Sequence, residues 1–334
     1  MADPSKLKKL QEVGRPEILF SIARVPGTET VFVGASDGHL YRMDLTAEKV
    51  EPQAIPGHQS YVTGVAYFQG RIVSCGFDKK VIWRDAETGM ISRELESAHG
   101  KWIRGMAQSA DGSKLATVGD DMVCRVWDAL TGDLIQELAG HDQQTPHHYP
   151  SMLYAAAFSP DGKHLATADR VGRIVVWDFA AGTIAAELEA PEMYTWDPRA
   201  RRHSIGGIRS LAFSPDGDQL AVGGMGKVGN IDHLEGKARV ELFDWKSGEL
   251  VHQFDSLDYK GLVEDLAYGP GGKWLLAVGG DHSGFLMFLD LESKKSIKDE
   301  KFGQHIHGVT HNEDFSRFAV ASHGRVGYFS MTED

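Results

Sequence analysis

The chain has 334 residues, 42% hydrophobic and 25% charged, with a formal net charge of −12. That composition excludes a disordered chain, and the acidic balance argues against general binding to a phosphate backbone. Two cysteines, Cys75 and Cys124, cannot build a disulfide framework or a metal cluster; they fit a reducing, cytoplasmic setting, and no apolar run reaches the ~18 residues of a membrane span.

Residues 1–14, MADPSKLKKLQEVG, lack the apolar core of a signal peptide. Lys8–Val13 stand before the first repeat and are expected to form a strand; Leu7, Leu10 and Val13, three residues apart, offer a short helix as the competing reading. The chain then repeats itself. Degenerate copies open and close it, at PGTETVFVGASDGHLYRMDL (26–45) and NEDFSRFAVASHGRVGYFS (312–330). Weaker copies run over 68–95 and 269–297. The strongest are SADGSKLAT (109–117), SPDGKHLAT (159–167) and SPDGDQLAV (214–222), each followed by a strand ending in aromatic-Asp: CRVWD (124–128), IVVWD (174–178) and VELFD (240–244). Short β runs separated by Gly/Asp turns at this spacing predict units of four strands.

Gly57-His58, Gly140-His141, the SPDG turns, Trp127-Asp128 and Trp177-Asp178 resemble the WD-repeat β-propeller family, in a compact, bacterial-type form. The resemblance covers roughly residues 16–330. It implies an all-β fold: a single seven-bladed β-propeller of four-stranded antiparallel blades, its ring closed by the N-terminal strand. Residues 1–334 are then one domain, with blades near 16–55, 56–95, 96–138, 139–188, 189–254, 255–302, and 303–330 plus 8–13. The resemblance also implies buried hydrogen-bonded sets inside blades: His99, Thr117, Asp121 and Trp127 in the third, His58, Ser74 and Asp78 in the second, and Trp177 in the fourth. In the second, Arg84 takes the Trp position and Trp83 faces the other way. A His, a Thr and an Asp have the composition of a hydrolytic triad, but the chain has no G-x-S-x-G and no H-E-x-x-H. These residues are read as structural, and no catalytic residue is expected.

Spacing between landmarks locates what is unusual. From the DG-type turn to the WD-type Asp the separation is 17 residues in blades 1 to 4, as from Asp111 to Asp128, but 28 from Asp216 to Asp244. The excess falls at 225–236. Extra residues also follow the fourth strands of blades 3 and 4, at 141–151 and 189–207. Antiparallel strand order sends loops after second and fourth strands to one face, so all three insertions are expected over one sector of that face. Their aromatic and cationic residues suit partner contact: Tyr149, Tyr194, Trp196, Arg199, Arg201, Arg202, His203, Lys227 and His233. The basic cluster 199–203 can capture an anion, or pair locally with Glu189, Glu192 or Asp197.

Gly224, Gly226 and Gly229 fit G-x-G-x-x-G, but the repeat places them between two strands, where no helix supplies a phosphate site. In the first strand of successive blades one aligned position carries Thr63, Arg104, Tyr154, Arg209, Glu264 and His307; of these Arg104, Arg209 and His307 are taken as partner-binding. His147, His148, His203, His233 and His282 lack zinc-site spacing, so neither metal nor cofactor is expected. The expected function is a non-enzymatic scaffold for a protein or peptide, with no nucleic acid or membrane and a monomer favoured. The alternative is a propeller enzyme or metal-dependent hydrolase with a His-rich channel mouth.

Overall fold

A computed structural model describes residues 2–197, 203–232 and 234–333. Local turn chemistry explains why the repeats become strands. In SADG the Asp111 carboxylate accepts from the Ser109 hydroxyl (2.6 Å) and the Ser113 N–H (3.0 Å), while Gly112 takes the positive φ of 74° that the reversal needs. Ser159–Asp161 and Ser214–Asp216 repeat the arrangement. The Asp of each WD pair ends its strand as a turn cap: Asp128 Oδ1 accepts from the N–H groups of Leu130 and Thr131, and Asp85 and Asp244 do the same for their own turns.

Twenty-eight strands form among the described residues. The first four are β1 (Lys8–Arg24), β2 (Thr30–Ala35), β3 (Leu40–Asp44) and β4 (Gln53–Ile55). One sheet holds β5 (Val62–Phe68), β6 (Arg71–Gly76), β7 (Val81–Asp85) and β8 (Ile91–Leu95). The next holds β9 (Ile103–Gln108), β10 (Lys114–Gly119), β11 (Val123–Asp128) and β12 (Leu134–Ala139). A third holds β13 (Leu153–Phe158), β14 (His164–Asp169), β15 (Arg173–Asp178) and β16 (Thr183–Glu189). A two-stranded ribbon follows, β17 (Tyr194–Asp197) with β18 (His203–Gly206). Two further sheets hold β19 (Ser210–Phe213), β20 (Gln219–Met225), β21 (Lys237–Asp244) and β22 (Glu249–Lys260), then β23 (Leu262–Tyr268), β24 (Trp274–Gly280), β25 (Gly284–Asp290) and β26 (Ser296–Phe302). The last strands are β27 (Ile306–His311) and β28 (Arg317–Ser330).

The expected seven blades are corrected to six. Five sheets have four strands, and the sixth has six, in the order β27-β28-β1-β2-β3-β4. The cause is β1, which runs unbroken for 17 residues. Its first part pairs with β28, from Lys8↔Ser330 to Gly14↔Arg325, and its second part with β2, from Leu19↔Ala35 to Arg24↔Val31. The last repeat therefore shares a sheet with the first instead of forming its own. The N-terminal strand does close the ring, as the sequence predicts, and it is a strand rather than a helix over Lys8–Val13.

Apolar layers lie between neighbouring sheets. Val126, Leu138 and Trp177 share one cluster, and Ile174, Met193, Phe243 and Trp245 share another. Cys75 and Cys124 are buried and unpaired; burial pushes the Cys124 thiol up to about 12, which keeps it unreactive. Among the described residues no helix is long and apolar enough to cross a membrane.

Candidate interaction face and channel mouth

The His/Thr/Asp sets are hydrogen-bonded inside their sheets. His99 Nδ1 donates to Asp121 at 3.0 Å, and its Nε2 accepts from the Thr117 hydroxyl at 2.7 Å. The same Thr117 oxygen accepts from Trp127 Nε1 at 2.9 Å. Burial lowers the His99 pKa, against the pull of Asp121 on its charged form. Burial also opposes the charge on Asp121, but the bonds from His99 and Gly100 hold that carboxyl well below the usual carboxylate range. His58 repeats the pattern with Asp78 and Ser74, both at 2.9 Å. Trp83 points the other way and donates to the Ala129 carbonyl, while Arg84 occupies the Trp127-equivalent position. A further complete set was not legible beforehand: His141 binds Asp169 at 3.0 Å and Thr167 at 2.9 Å, and Trp177 donates to Thr167. Its acid lies two residues after the Thr rather than four, so alignment on Asp121 misses it.

The three insertions meet. The His147 ring stacks on Trp196, with centroids 4.1 Å apart and planes 11° from parallel, and its Nδ1 lies 3.1 Å from the Tyr194 hydroxyl. Tyr149 leans on Trp196 from the same loop, at 5.4 Å. On the other side, Lys227 pairs with Glu192 at 2.8 Å, and the Val228 N–H donates to the Thr195 hydroxyl at 3.1 Å. The β17–β18 ribbon thus joins 141–151 to 225–236. Arg199, Arg201, Arg202 and His233 lie outside the described residues; His203 begins β18, and its side chain is likewise outside them.

The glycine stretch 223–230 has a packing explanation. A side-chain carbon on Gly224 would stand 2.7 Å from the Met193 sulfur and 2.9 Å from the Gly207 carbonyl. Absence of a side chain lets β20 approach the ribbon, and the loop runs from β20 to β21 without a helix.

The aligned first-strand residues do converge. Thr63, Arg104, Tyr154, Arg209, Glu264 and His307 all line one axial cavity of about 710 Å³, which Asp232 and Leu234 of the third insertion also border. Arg104 forms a two-pronged pair with Asp120, at 2.6 and 2.8 Å. Arg209 lies 3.6 Å over the Tyr154 ring, and its Nη1 is buried without a hydrogen-bond partner. Glu264 Oε1 is 3.3 Å from His305 Nε2. Burial opposes the charge on Glu264, yet His305 with Arg209 and His307 nearby hold its carboxyl down to about 2. Burial pushes the His307 imidazole down to about 3.

Two features escaped sequence reading. An aromatic arc borders the mouth: Phe20 on Tyr61 (5.2 Å), Tyr61 on Phe77 (5.4 Å), and Phe77 stacked on Trp102 (4.7 Å), with Arg104 over Phe77. Tyr61 and Trp102 are 41% and 49% exposed, which leaves them open to contact. Each immediately precedes an inner strand, a shared register that could have flagged them. The second is a stack of His305, His307 and His323 with centroids 4.5 to 5.4 Å apart. Of the histidines singled out from sequence, His147 serves the ribbon and His282 lines the channel, while His233 and the His203 side chain lie outside the described residues.

The family model described as "WD domain, G-beta repeat" matches residues 91–128, 132–178 and 199–228. Protein hir-1 of Neurospora crassa is 30% identical over 183 residues, 52% of this chain and 17% of that protein. Nuclear distribution protein PAC1 of Arthroderma benhamiae is 28% identical over 212 residues, 56% of this chain and 42% of that protein. Meiotic recombination protein rec14 of Schizosaccharomyces pombe is 24% identical over 241 residues, 71% of this chain and 68% of that protein. The match thus spans less than half the length of the first two.

Proposed function

Since the chain belongs to the WD40-repeat β-propellers, we propose that it is a non-enzymatic, cytoplasmic interaction scaffold. Residues 1–334 act as one unit, and a protein or peptide partner docks on the face carrying 141–151, 189–207 and 225–236. The observation that carries this reading is the stack of Trp196 against His147 and Tyr149, which knits separate loops into one surface. Unconnected solvated loops would have no need to order one another, and ordering costs conformational entropy. An ordered pad reduces what a partner must spend on binding. Tyr149, Tyr194, Trp196 and Lys227 offer aromatic and cationic contacts, and Arg104, Arg209 and His307 continue them into the channel mouth. Arg199, Arg201, Arg202, His203 and His233 complete the proposed set.

Affinity capture with quantitative mass spectrometry tests the reading, comparing the intact chain with a variant in which 190–204 and 226–236 are replaced by short Gly-Ser links. The expected result is selective loss of partners from the variant while its melting curve stays cooperative. An identical partner set from both would overturn the assignment of this face.

A further inference from the structure

The stacked histidines raise a question that partner binding does not answer. His305 Nε2 and His307 Nε2 are both buried without a hydrogen-bond partner among the described residues. Buried polar nitrogens are ordinarily satisfied. The geometry around His305 fixes what its free nitrogen can do. Its Nδ1 lies 3.1 Å from the Asp281 backbone carbonyl, which can only accept, so Nδ1 carries the hydrogen. A neutral ring then directs a lone pair from Nε2 towards Glu264 Oε1, 3.3 Å away, and an ionised carboxylate also only accepts. Two acceptors at that distance repel unless a cation lies between them. That cation is either a proton on Nε2 or a metal ion.

We propose that Glu264, His305 and His307 form a binding site for a divalent transition metal of the zinc type inside the axial channel. Their donor atoms lie within 4.8 Å of one another. A tetrahedral ion with bonds of ~2.0–2.1 Å holds its donors ~3.3 Å apart, so the Glu264–His305 separation already fits. His307 joins them by turning out of its stack on His305, its donor nitrogen already within 4.8 Å of the other two ligand atoms. Two imidazoles and one carboxylate are the donor set of a zinc centre rather than of calcium or magnesium, which prefer oxygen throughout. The His305 bond to the Asp281 carbonyl is the outer-shell contact that orients metal-ligating histidines and fixes their tautomer. His323 stacks on both rings, 5.4 Å from His305 and 4.8 Å from His307, and brackets the site from β28. The cavity provides an entry path from solvent.

Strand geometry explains how the site is built. His305 and His307 are two residues apart, so both side chains face the channel while Ile306 between them is buried in the core. Glu264 comes from the neighbouring inner strand, β23.

The test uses the tag-free full chain, stripped with a chelator and titrated with Zn²⁺ by calorimetry, then with Co²⁺ by visible absorption. The expected result is one equivalent bound, with Co²⁺ giving the intense absorption of a low-coordinate nitrogen/oxygen site. Glu264→Gln and His307→Ala should each weaken binding about tenfold or more. His252→Ala, on the outer strand β22, should leave it unchanged. Glu264→Gln preserves shape and carries the test should His307→Ala fail to fold. Sub-stoichiometric zinc on the wild type, or one equivalent retained by both channel variants, would overturn the proposal and leave a protonated His305 paired with Glu264.

Discussion

Single side chains decide much of the energetics here, and Thr117 is the clearest case. Its one hydroxyl donates to His99 and accepts from Trp127. Thr117→Val keeps the shape and strands both partners in a buried position. Each buried group left unpaired costs about 1–3 kcal/mol, so the loss in urea unfolding should exceed that of Ser74→Ala, where only His58 loses a partner. Equal losses would contradict the shared role of Thr117. Asp265 gives a pH signature instead. Burial raises its carboxyl from 3.8 to about 6, against the N–H groups of Val309 and Leu266 that bind its charged form. The folded chain therefore holds this proton more tightly than the unfolded chain does. That contribution is fully present below the unfolded value and is lost as pH rises through the folded one. Between pH 3.8 and about 6, wild-type stability should fall relative to Asp265→Asn. Paired urea midpoints across that window check it; a constant or widening wild-type advantage would refute it.

Strands and loops show how far the sequence could be read. The repeat units were legible because their turn chemistry is local: Ser, Asp and Gly within four residues specify the reversals at 109–112, 159–162 and 214–217. The joined insertions followed from spacing and strand direction alone. The number of separate blades was not legible, because it depends on β1 continuing through Gly14, Arg15 and Pro16. Only pairing to two partners at once, with a register shift between Gly14 and Ile18, sustains it there. His305 and His323 were missed for a related reason, since they meet Glu264 and His307 only after the ring closes. Closure itself is testable. Deleting residues 1–14 removes the strand that covers Val326, Tyr328 and Phe329 and leaves an open sheet edge. The melting temperature should drop by roughly 10 °C or more, as expected for a loss of several kcal/mol; an unchanged melt would show that the strand is dispensable.

Considered whole, the molecule is a ring whose two faces differ. One carries the three insertions, the aromatic arc and the channel mouth, while the other carries short hairpins, three of them with Asp-Gly turns at 111–112, 161–162 and 216–217. Uneven elaboration places the extra loops over one sector of an otherwise regular ring. The ring also has a definite mechanical weak point. Lys8 sits opposite Ser330, and the Asp3 N–H donates to the Met331 carbonyl at 3.0 Å, so the two ends of the described chain leave from the same place. Tension applied between them acts across the β1–β28 ladder and parts its rungs one after another, instead of loading all of them together as shear would. In an optical-trap experiment the first event should be a low-force peeling of Lys8–Gly14, before any four-stranded sheet opens; a single high-force rupture would contradict it. A ring closed by one such ladder can thus be unfastened by a modest pull on its ends.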